Sequence, residues 1–120
     1  MSRLGFMSPA SPPLRLREVR GGIPDGAIPV GPDRALLVGD ADVDLDGCRV
    51  YDMSAALAVV EVEAALMPRL TELEDFPAVG SILRGVPAVI EPRGDGYRLF
   101  VPQELGQFVR ETVDDLRAGL

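Results

Sequence analysis

The sequence predicts an α+β domain in which an antiparallel sheet, built from two β-hairpins, is covered on one face by two main helices. Three observations support this fold class. Short runs alternate apolar and polar residues, two such runs enclose turns that contain Asp and Gly, and the C-terminal residues carry an apolar stripe at helical spacing. A chain of 120 residues can bury one core, so we expect a single domain over residues 14–120.

The first third of the chain contains three kinds of signal. Residues 1–13, with three Pro and three Ser, predict a disordered or extended arm. The stretch LRLREVR from Leu14 alternates Leu with Arg and predicts a strand with one face in water. GGIPDGAIPVGPD is rich in Gly and Pro and predicts a loop, and RALLVG then predicts a short buried strand.

The stretch GDADVDLDG, followed by CRVYD, predicts the first hairpin. Asp46-Gly47 is a favoured doublet for a two-residue turn. Counting outward from it places apolar side chains on one face, and aspartates, Arg49 and Tyr51 on the other. The predicted pairs are Leu45 with Cys48, Asp44 with Arg49, Val43 with Val50, and Asp42 with Tyr51.

A calcium loop is the alternative interpretation of the same residues. Asp42, Asp44, Asp46 and Gly47 match the start of a DxDxDG loop, in which carboxylates at alternate positions would hold the ion. The position that should carry a bidentate Glu is Met53, so the hairpin is preferred.

The middle of the chain predicts a helix that begins near Ser54 and runs to Met67. The apolar stripe has helical spacing and five Ala but no Gly, although Glu61 and Glu63 cannot share one helix face. A strand through VVEVEA is therefore an alternative. Pro68 then ends this helix and opens a second short helix that reaches Asp75. FPAVGSILRG predicts a further turn or short helix.

The C-terminal part predicts a second hairpin and a final helix. A loop over residues 93–96 pairs Glu91 with Arg98 and Ile90 with Leu99. The loop contains Arg-Gly-Asp, a tripeptide recognised by cell-adhesion receptors, but the chain shows no export signal that would bring it to them. The helix is amphipathic, with its apolar side formed by Leu105, Phe108, Val109, Val113 and Leu116.

The two predicted hairpins resemble each other in sequence. DGCRVYD and DGYRLFV share Asp-Gly, Arg, an aliphatic and an aromatic residue with a spacing of 49 residues. This suggests a ββα-ββα internal repeat. Hairpin chemistry alone is the alternative explanation of the likeness.

The residue types present exclude several kinds of catalysis. All twelve basic residues are Arg, and the chain has no Lys and no His. A Ser-His or Cys-His pair, an imidazole ligand and a Schiff-base lysine are therefore excluded. The single Cys48 has neither a second Cys nor a His partner, and we expect it to be a small apolar side chain. No catalytic, cofactor-binding or metal-binding residue is assigned, and no cofactor is expected.

The charge distribution opposes nucleic-acid binding. The net charge is −7, although residues 1–20 carry four Arg against a single Glu. An arm that grips RNA or an acidic partner is the alternative, but these four Arg are too dispersed to form a dense basic run, so we expect an arm that is solvated or docks on the acidic body. The N-terminus has no apolar run typical of a secretory signal, and no stretch is long enough to span a membrane. A cytoplasmic location is the default.

These observations favour a non-enzymatic protein-binding module, such as an adaptor, inhibitor, chaperone-like factor or accessory subunit, with a partner protein that the sequence does not identify. The alternatives are a calcium-binding protein that uses Asp42, Asp44 and Asp46, and a small carboxylate-dependent enzyme. A homodimer is also expected, because hairpin-built sheets leave edge strands that gain from being covered.

Overall fold

A computed structural model describes residues 14–119, so the predicted N-terminal arm at residues 1–13 lies outside it. The described chain is α+β, which confirms the predicted fold class. It contains two four-stranded antiparallel sheets and two α-helices, with a short 3-10 turn before each helix.

The first sheet has the strand order β2-β3-β1-β4. Strands β1 and β3 lie in its centre, and β1 pairs with both β3 and β4. Its strands are β1 (Leu16–Arg20), β2 (Ile28–Gly31), β3 (Arg34–Val38) and β4 (Arg49–Asp52).

The second sheet has the strand order β5-β8-β7-β6, and both helices pack on it. Its strands are β5 (Leu57–Glu63), β6 (Ala78–Ile82), β7 (Val86–Arg93) and β8 (Gly96–Pro102). The helices are α1 (Met67–Leu70) and α2 (Gly106–Arg117). They follow 3-10 turns at Ala64–Leu66 and Gln103–Leu105.

Alternate residues of the second sheet enter two different cores. One face of β8 carries Leu99 and Val101, which pack with α2 residues Val109 and Val113 in the larger core. The opposite face carries Phe100, which packs against the first sheet in a smaller core. The buried members of that smaller core are Leu16, Ile28, Leu36 and Phe100.

The second predicted hairpin and the C-terminal helix are confirmed. Strands β7 and β8 pair Glu91 with Arg98 and Ile90 with Leu99, in the predicted register. Helix α2 buries Val109 and Val113 completely, but Phe108 is 51% exposed and does not belong to the buried face.

The first predicted hairpin is wrong, although its turn is present. Cys48 N donates to Leu45 O at 3.0 Å, and Gly47 has a φ of +79°. Residues 40–45 form no strand, however, and β4 pairs with β1 instead. Asp46 does not have the positive φ that a type I′ turn requires, and turns of types I and II splay the strands that they join.

The predicted helix over residues 54–67 is also wrong, because residues 57–63 form strand β5. Ala58, Val60 and Val62 alternate into the larger core, while Glu61 and Glu63 share the opposite face. The two glutamates that did not fit one side of a helix fit one side of a strand. The strand was the alternative that the sequence left open.

Three further elements differ from the prediction. The Gly/Pro-rich stretch contains β2, and β6 replaces the turn or short helix expected near residue 80. Pro68 lies in the first turn of α1 as predicted, but that helix ends at Leu70 rather than Asp75. Only one long helix therefore covers the second sheet, and the internal repeat is not confirmed. No helix within residues 14–119 combines the length and the hydrophobicity needed to cross a membrane.

Candidate partner-binding edge

The edges of the two sheets differ in how well their backbone groups are covered. An edge strand presents N–H and C=O groups that point away from its own sheet and can pair with another chain. The four edge strands here are β2, β4, β5 and β6. Within the described residues, three of these edges are blocked at one or more positions by the protein itself, each in a different way.

The edge of β5 is closed by arginines of α2. Arg110 donates to the Val59 carbonyl at 3.4 Å, and Arg117 donates to the Glu61 carbonyl at 2.8 Å. Arg117 also binds the Glu63 carboxylate at 2.7 Å, which lowers the pKa of Glu63 below its usual value. Two arginine side chains thus occupy acceptors that an added strand would need.

The edge of β6 is covered at its C-terminal end by the chain around the end of α1, whereas Val79 in the middle of the strand is 50% exposed. The Leu83 N–H donates to the Leu70 carbonyl at 2.9 Å, and the Thr71 hydroxyl donates to the Ser81 carbonyl at 3.0 Å. The edge strand β2 is interrupted by Pro29, which has no N–H to donate to an added strand. The β2 register also shifts after this proline.

Strand β4 remains open along its outer side. Alternate residues of an antiparallel pair direct their N–H and C=O groups toward the partner strand. Met53 N donates to Leu16 O at 2.8 Å just beyond β4, so the residues two and four positions earlier face β1. Val50 and Asp52 therefore direct their backbone groups outward, and no strand within residues 14–119 pairs with them.

The side chains of β4 are exposed as well as its edge. Val50 is 42% and Tyr51 is 41% exposed, which places two large apolar side chains on one four-residue strand. The Asp52 carboxylate accepts a hydrogen bond from Ser54 N at 2.9 Å, which lowers the pKa of Asp52. β4 thus offers free backbone groups, apolar side chains and a fixed carboxylate.

Three arginines lie side by side across the end of this sheet. The register places Arg49 opposite Arg20, and Arg20 opposite Arg34. Arg20 binds the Glu18 carboxylate, which raises the pKa of Arg20, and its guanidinium lies 5.0 Å from the centre of the Tyr51 ring. Like charges directly opposite each other in a sheet are unfavourable. This arginine row is therefore a positive site on a chain whose net charge is −7.

The acidic segment, residues 40–46, precedes β4 in the chain and forms no strand. The Asp44 carboxylate accepts a hydrogen bond from Asp46 N at 3.0 Å. Arg17, which the sequence placed on a wet face, is only 9% exposed and donates to the carbonyls of Gly39 and Ala41 at 3.2 and 3.4 Å. These bonds fix both ends of the segment in a conformation other than the predicted hairpin.

The aspartates considered for calcium do not form a cage. Asp42, Asp44 and Asp46 follow one another along exposed chain, and the Asp44 carboxylate is engaged by a backbone N–H. Within residues 14–119, no three His, Cys, Asp or Glu side chains form a group that could hold a metal ion.

The described residues also form a cleft whose lining includes no residue of β4. It has a volume of about 700 Å³ and lies between α1, the turn after β6, and Phe108 of α2. Leu83 and Arg84 in that turn have φ values of +49° and +61°, which non-glycine residues rarely adopt. Arg69 and Arg84 line the cleft together with apolar side chains, so its chemistry is mixed.

Two other features from the sequence have structural positions. The free Cys48 is partly buried, and its sulfur lies close to Gly22, where an added Cβ would be 3.3 Å away. Residues 93–95, the Arg-Gly-Asp tripeptide, form the tip between β7 and β8.

Comparison of the chain with protein-family models, with curated proteins and with solved structures found no match in any of the three. The candidate site at β4 is therefore described from the structure of this chain alone. The sequence assigned Arg49 and Val50 to a hairpin and missed the open edge. The residues were visible as an alternating run, but which strand they pair with depends on the tertiary structure.

Proposed function

We propose that the protein is a non-enzymatic binding module that takes up an extended segment of a partner protein as a fifth strand beside β4. The observation that carries this proposal is the contrast between edges. Three edge strands are blocked at one or more positions within the described residues, whereas no such block lies on the outer side of β4, where Val50 and Tyr51 are exposed.

Strand addition matches the chemistry of this edge. An added strand gains affinity from main-chain hydrogen bonds and specificity from alternate side chains. Val50 and Asp52 supply the outward N–H and C=O groups, and Val50 and Tyr51 supply apolar surface. Because β4 has four residues, the contact is small, and a small contact area is typical of weak and transient complexes.

The blocked edges explain why an added strand would bind beside β4. Natural sheets block their edges with charges, prolines and covering segments to avoid unwanted pairing. In this protein the charged residues are Arg110 and Arg117, the proline is Pro29, and the covering segment contains Thr71. An edge left open on the same molecule then directs any strand pairing to one place.

A proline substitution tests the proposal because it removes one outward N–H. Val50→Pro deletes the donor that points away from β1, while the bonds between β4 and β1 use other residues. Proline is compatible with an edge strand in this orientation. Val50→Ala is the matched control, since it shortens the same side chain but keeps the N–H. A displayed library of random twelve-residue peptides is selected on the wild-type protein and on both variants.

We expect peptides to be enriched on the wild type and on Val50→Ala, and enrichment to be lost on Val50→Pro. Thermal melting of the three proteins verifies that each is folded. Strand addition is contradicted if the wild type enriches no peptides, or if folded Val50→Pro enriches the same ones.

A further inference from the structure

We propose that the segment bound beside β4 belongs to a partner protein and alternates acidic and apolar residues, with its acidic side chains next to Arg49 and its apolar side chains next to Val50. This inference rests on the proposed function and specifies the chemistry of the partner. It commits to a partner polypeptide of negative charge as the occupant.

The two faces of β4 require different neighbours. Successive side chains of a strand point to opposite faces, so Arg49 and Tyr51 share one face and Val50 lies on the other. The side chains of an added strand would lie about 4.5–5.5 Å, between Cβ atoms, from those directly opposite. One alternate set of partner residues therefore meets a guanidinium and a phenol ring, and the other set meets an exposed valine.

The charge near Arg49 favours an acidic residue. Arg49 and Arg34 form no ion pair within 4 Å among residues 14–119, and each lies opposite Arg20. Glu18 neutralises only Arg20, with which it forms a salt bridge. A carboxylate opposite Arg49 would offset the repulsion along the row, whereas a basic residue would increase it.

The three arginines differ in their distance from the added strand. Adjacent strands are about 4.8 Å apart, so the backbone at Arg49 would lie one spacing from the partner and that at Arg34 three spacings, roughly 14 Å. That separation exceeds the screening length of roughly 8 Å at physiological salt. Arg49 should therefore contribute directly, and Arg34 hardly at all, although both carry the same charge on the same face.

The chain contains a segment with the proposed pattern. Asp42, Val43, Asp44 and Leu45 alternate acidic and apolar residues immediately before the turn that leads into β4. This segment does not occupy the edge of its own molecule, because Arg17 binds the backbone at its start and its turn has the wrong geometry for a hairpin. A second copy of the chain could supply the same residues, and the experiment must separate that occupant from a partner protein.

Binding of labelled ten-residue peptides, measured by fluorescence anisotropy with the full chain, tests the inference. The probe alternates Asp and Val. Its controls replace every Asp with Ser or with Lys, or keep the composition but group the five Asp and the five Val in two blocks. A ten-residue oligouridine RNA is the nucleic-acid probe. The protein variants are Arg49→Gln, its matched control Arg34→Gln, and Val50→Pro.

We expect the alternating Asp peptide to bind most tightly, the Lys and block peptides least, and the RNA not to compete. A cross-strand charge pair of about 0.2–1 kcal/mol corresponds to a factor of about 1.4–5, so Arg49→Gln should weaken Asp-peptide binding by up to about fivefold. Arg34→Gln should change it less than about 1.5-fold, and Val50→Pro should abolish binding of all the peptides. The advantage of Asp over Ser should shrink at high salt.

The outcomes separate the two proposals. If the Lys peptide binds as tightly as the Asp peptide but Val50→Pro abolishes both, strand addition stands and the acidic preference is wrong. If Val50→Pro binds the Asp peptide normally while Arg49→Gln does not, the arginine site stands and strand addition is wrong. Tighter binding of the RNA would overturn the polypeptide ligand. Light scattering that shows a dimer in the wild type and a monomer in Val50→Pro would assign the edge to a second copy and overturn the partner protein.

Discussion

We expect Phe100 to link the stabilities of the two sheets, so that truncation of its side chain lets the first sheet open separately from the second. Its side chain is 1% exposed and extends from β8 toward the first sheet, where it packs with Leu16, Ile28 and Leu36. These four are the buried residues of the smaller core, whereas the larger core has thirteen among the described residues. Phe100 is the only one of the four that belongs to the second sheet.

The size of the effect follows from the loss of a buried aromatic ring. A Phe→Ala change in a core costs about 3–5 kcal/mol, against a total stability of about 5–15 kcal/mol for a typical domain. Ile90→Ala is the matched change in the larger core, because Ile90 is also fully buried and should cost about 2–5 kcal/mol. The expected losses of stability from the two substitutions overlap, so the informative measurement is which parts of the molecule each substitution destabilises.

The assay combines urea unfolding with amide hydrogen exchange. We expect Phe100→Ala to accelerate exchange in β1 and β3 more than in β5 and β8, because the smaller core loses the one fully buried side chain that the second sheet contributes to it among the described residues. The dependence of unfolding free energy on urea should also fall if the first sheet opens separately. Equal acceleration in both sheets, matching the Ile90→Ala pattern, would refute the idea that Phe100 joins two separable cores.

Four other predictions follow from single residues and one segment. Gly96→Ala should lower the free energy of unfolding by about 1–3 kcal/mol in urea titrations, because an added Cβ would lie 2.5 Å from the Val62 carbonyl oxygen. Gly47→Val should cost about 1–2 kcal/mol by the same titration, although nothing lies within 4 Å of an added Cβ, because φ is +79°. Arg117 lowers the pKa of Glu63 in the folded protein, so the stability from this pair is complete above the usual Glu pKa of about 4.3 and is lost as pH falls through the lower, folded value. In urea titrations the wild type should therefore lose its stability advantage over Glu63→Gln at acidic pH. An advantage that grows on acidification would contradict this prediction. Millimolar calcium should leave the melting temperature nearly unchanged in calorimetry, since the acidic segment offers no convergent carboxylates, and a rise of several degrees would show that a calcium site exists.

Local sequence patterns predicted the structure correctly where residues that are close in sequence are also close in space. The pairing of Glu91 with Arg98 followed from counting out from a short loop, and the structure shows the same pair with a 2.7 Å ion pair. The C-terminal helix followed from apolar residues at helical spacing, and it buries Val109 and Val113. Both predictions depend only on contacts within the hairpin or on the periodicity of one helix.

The same reasoning was wrong where the partner strand is distant in sequence. The run Arg49–Asp52 fits equally well beside the residues that precede its turn and beside β1, because alternation specifies a strand but not its neighbour. In the stretch around Val60, high alanine content favoured a helix, yet pairing with β8 and burial against α2 outweighed that preference. Helix propensity differs by tenths of a kcal/mol per residue, whereas burial of each large apolar side chain contributes more.

The sequence by itself determined the α+β class, the second hairpin, the C-terminal helix and the absence of lysine and histidine chemistry, because each depends on composition or on contacts close along the chain. Only the tertiary structure decided that there are two sheets, that β4 lies at the edge of one of them, and that Arg49, Arg20 and Arg34 stand in a row. Those three arginines come from three separate strands, and no local pattern links positions that only strand pairing brings together.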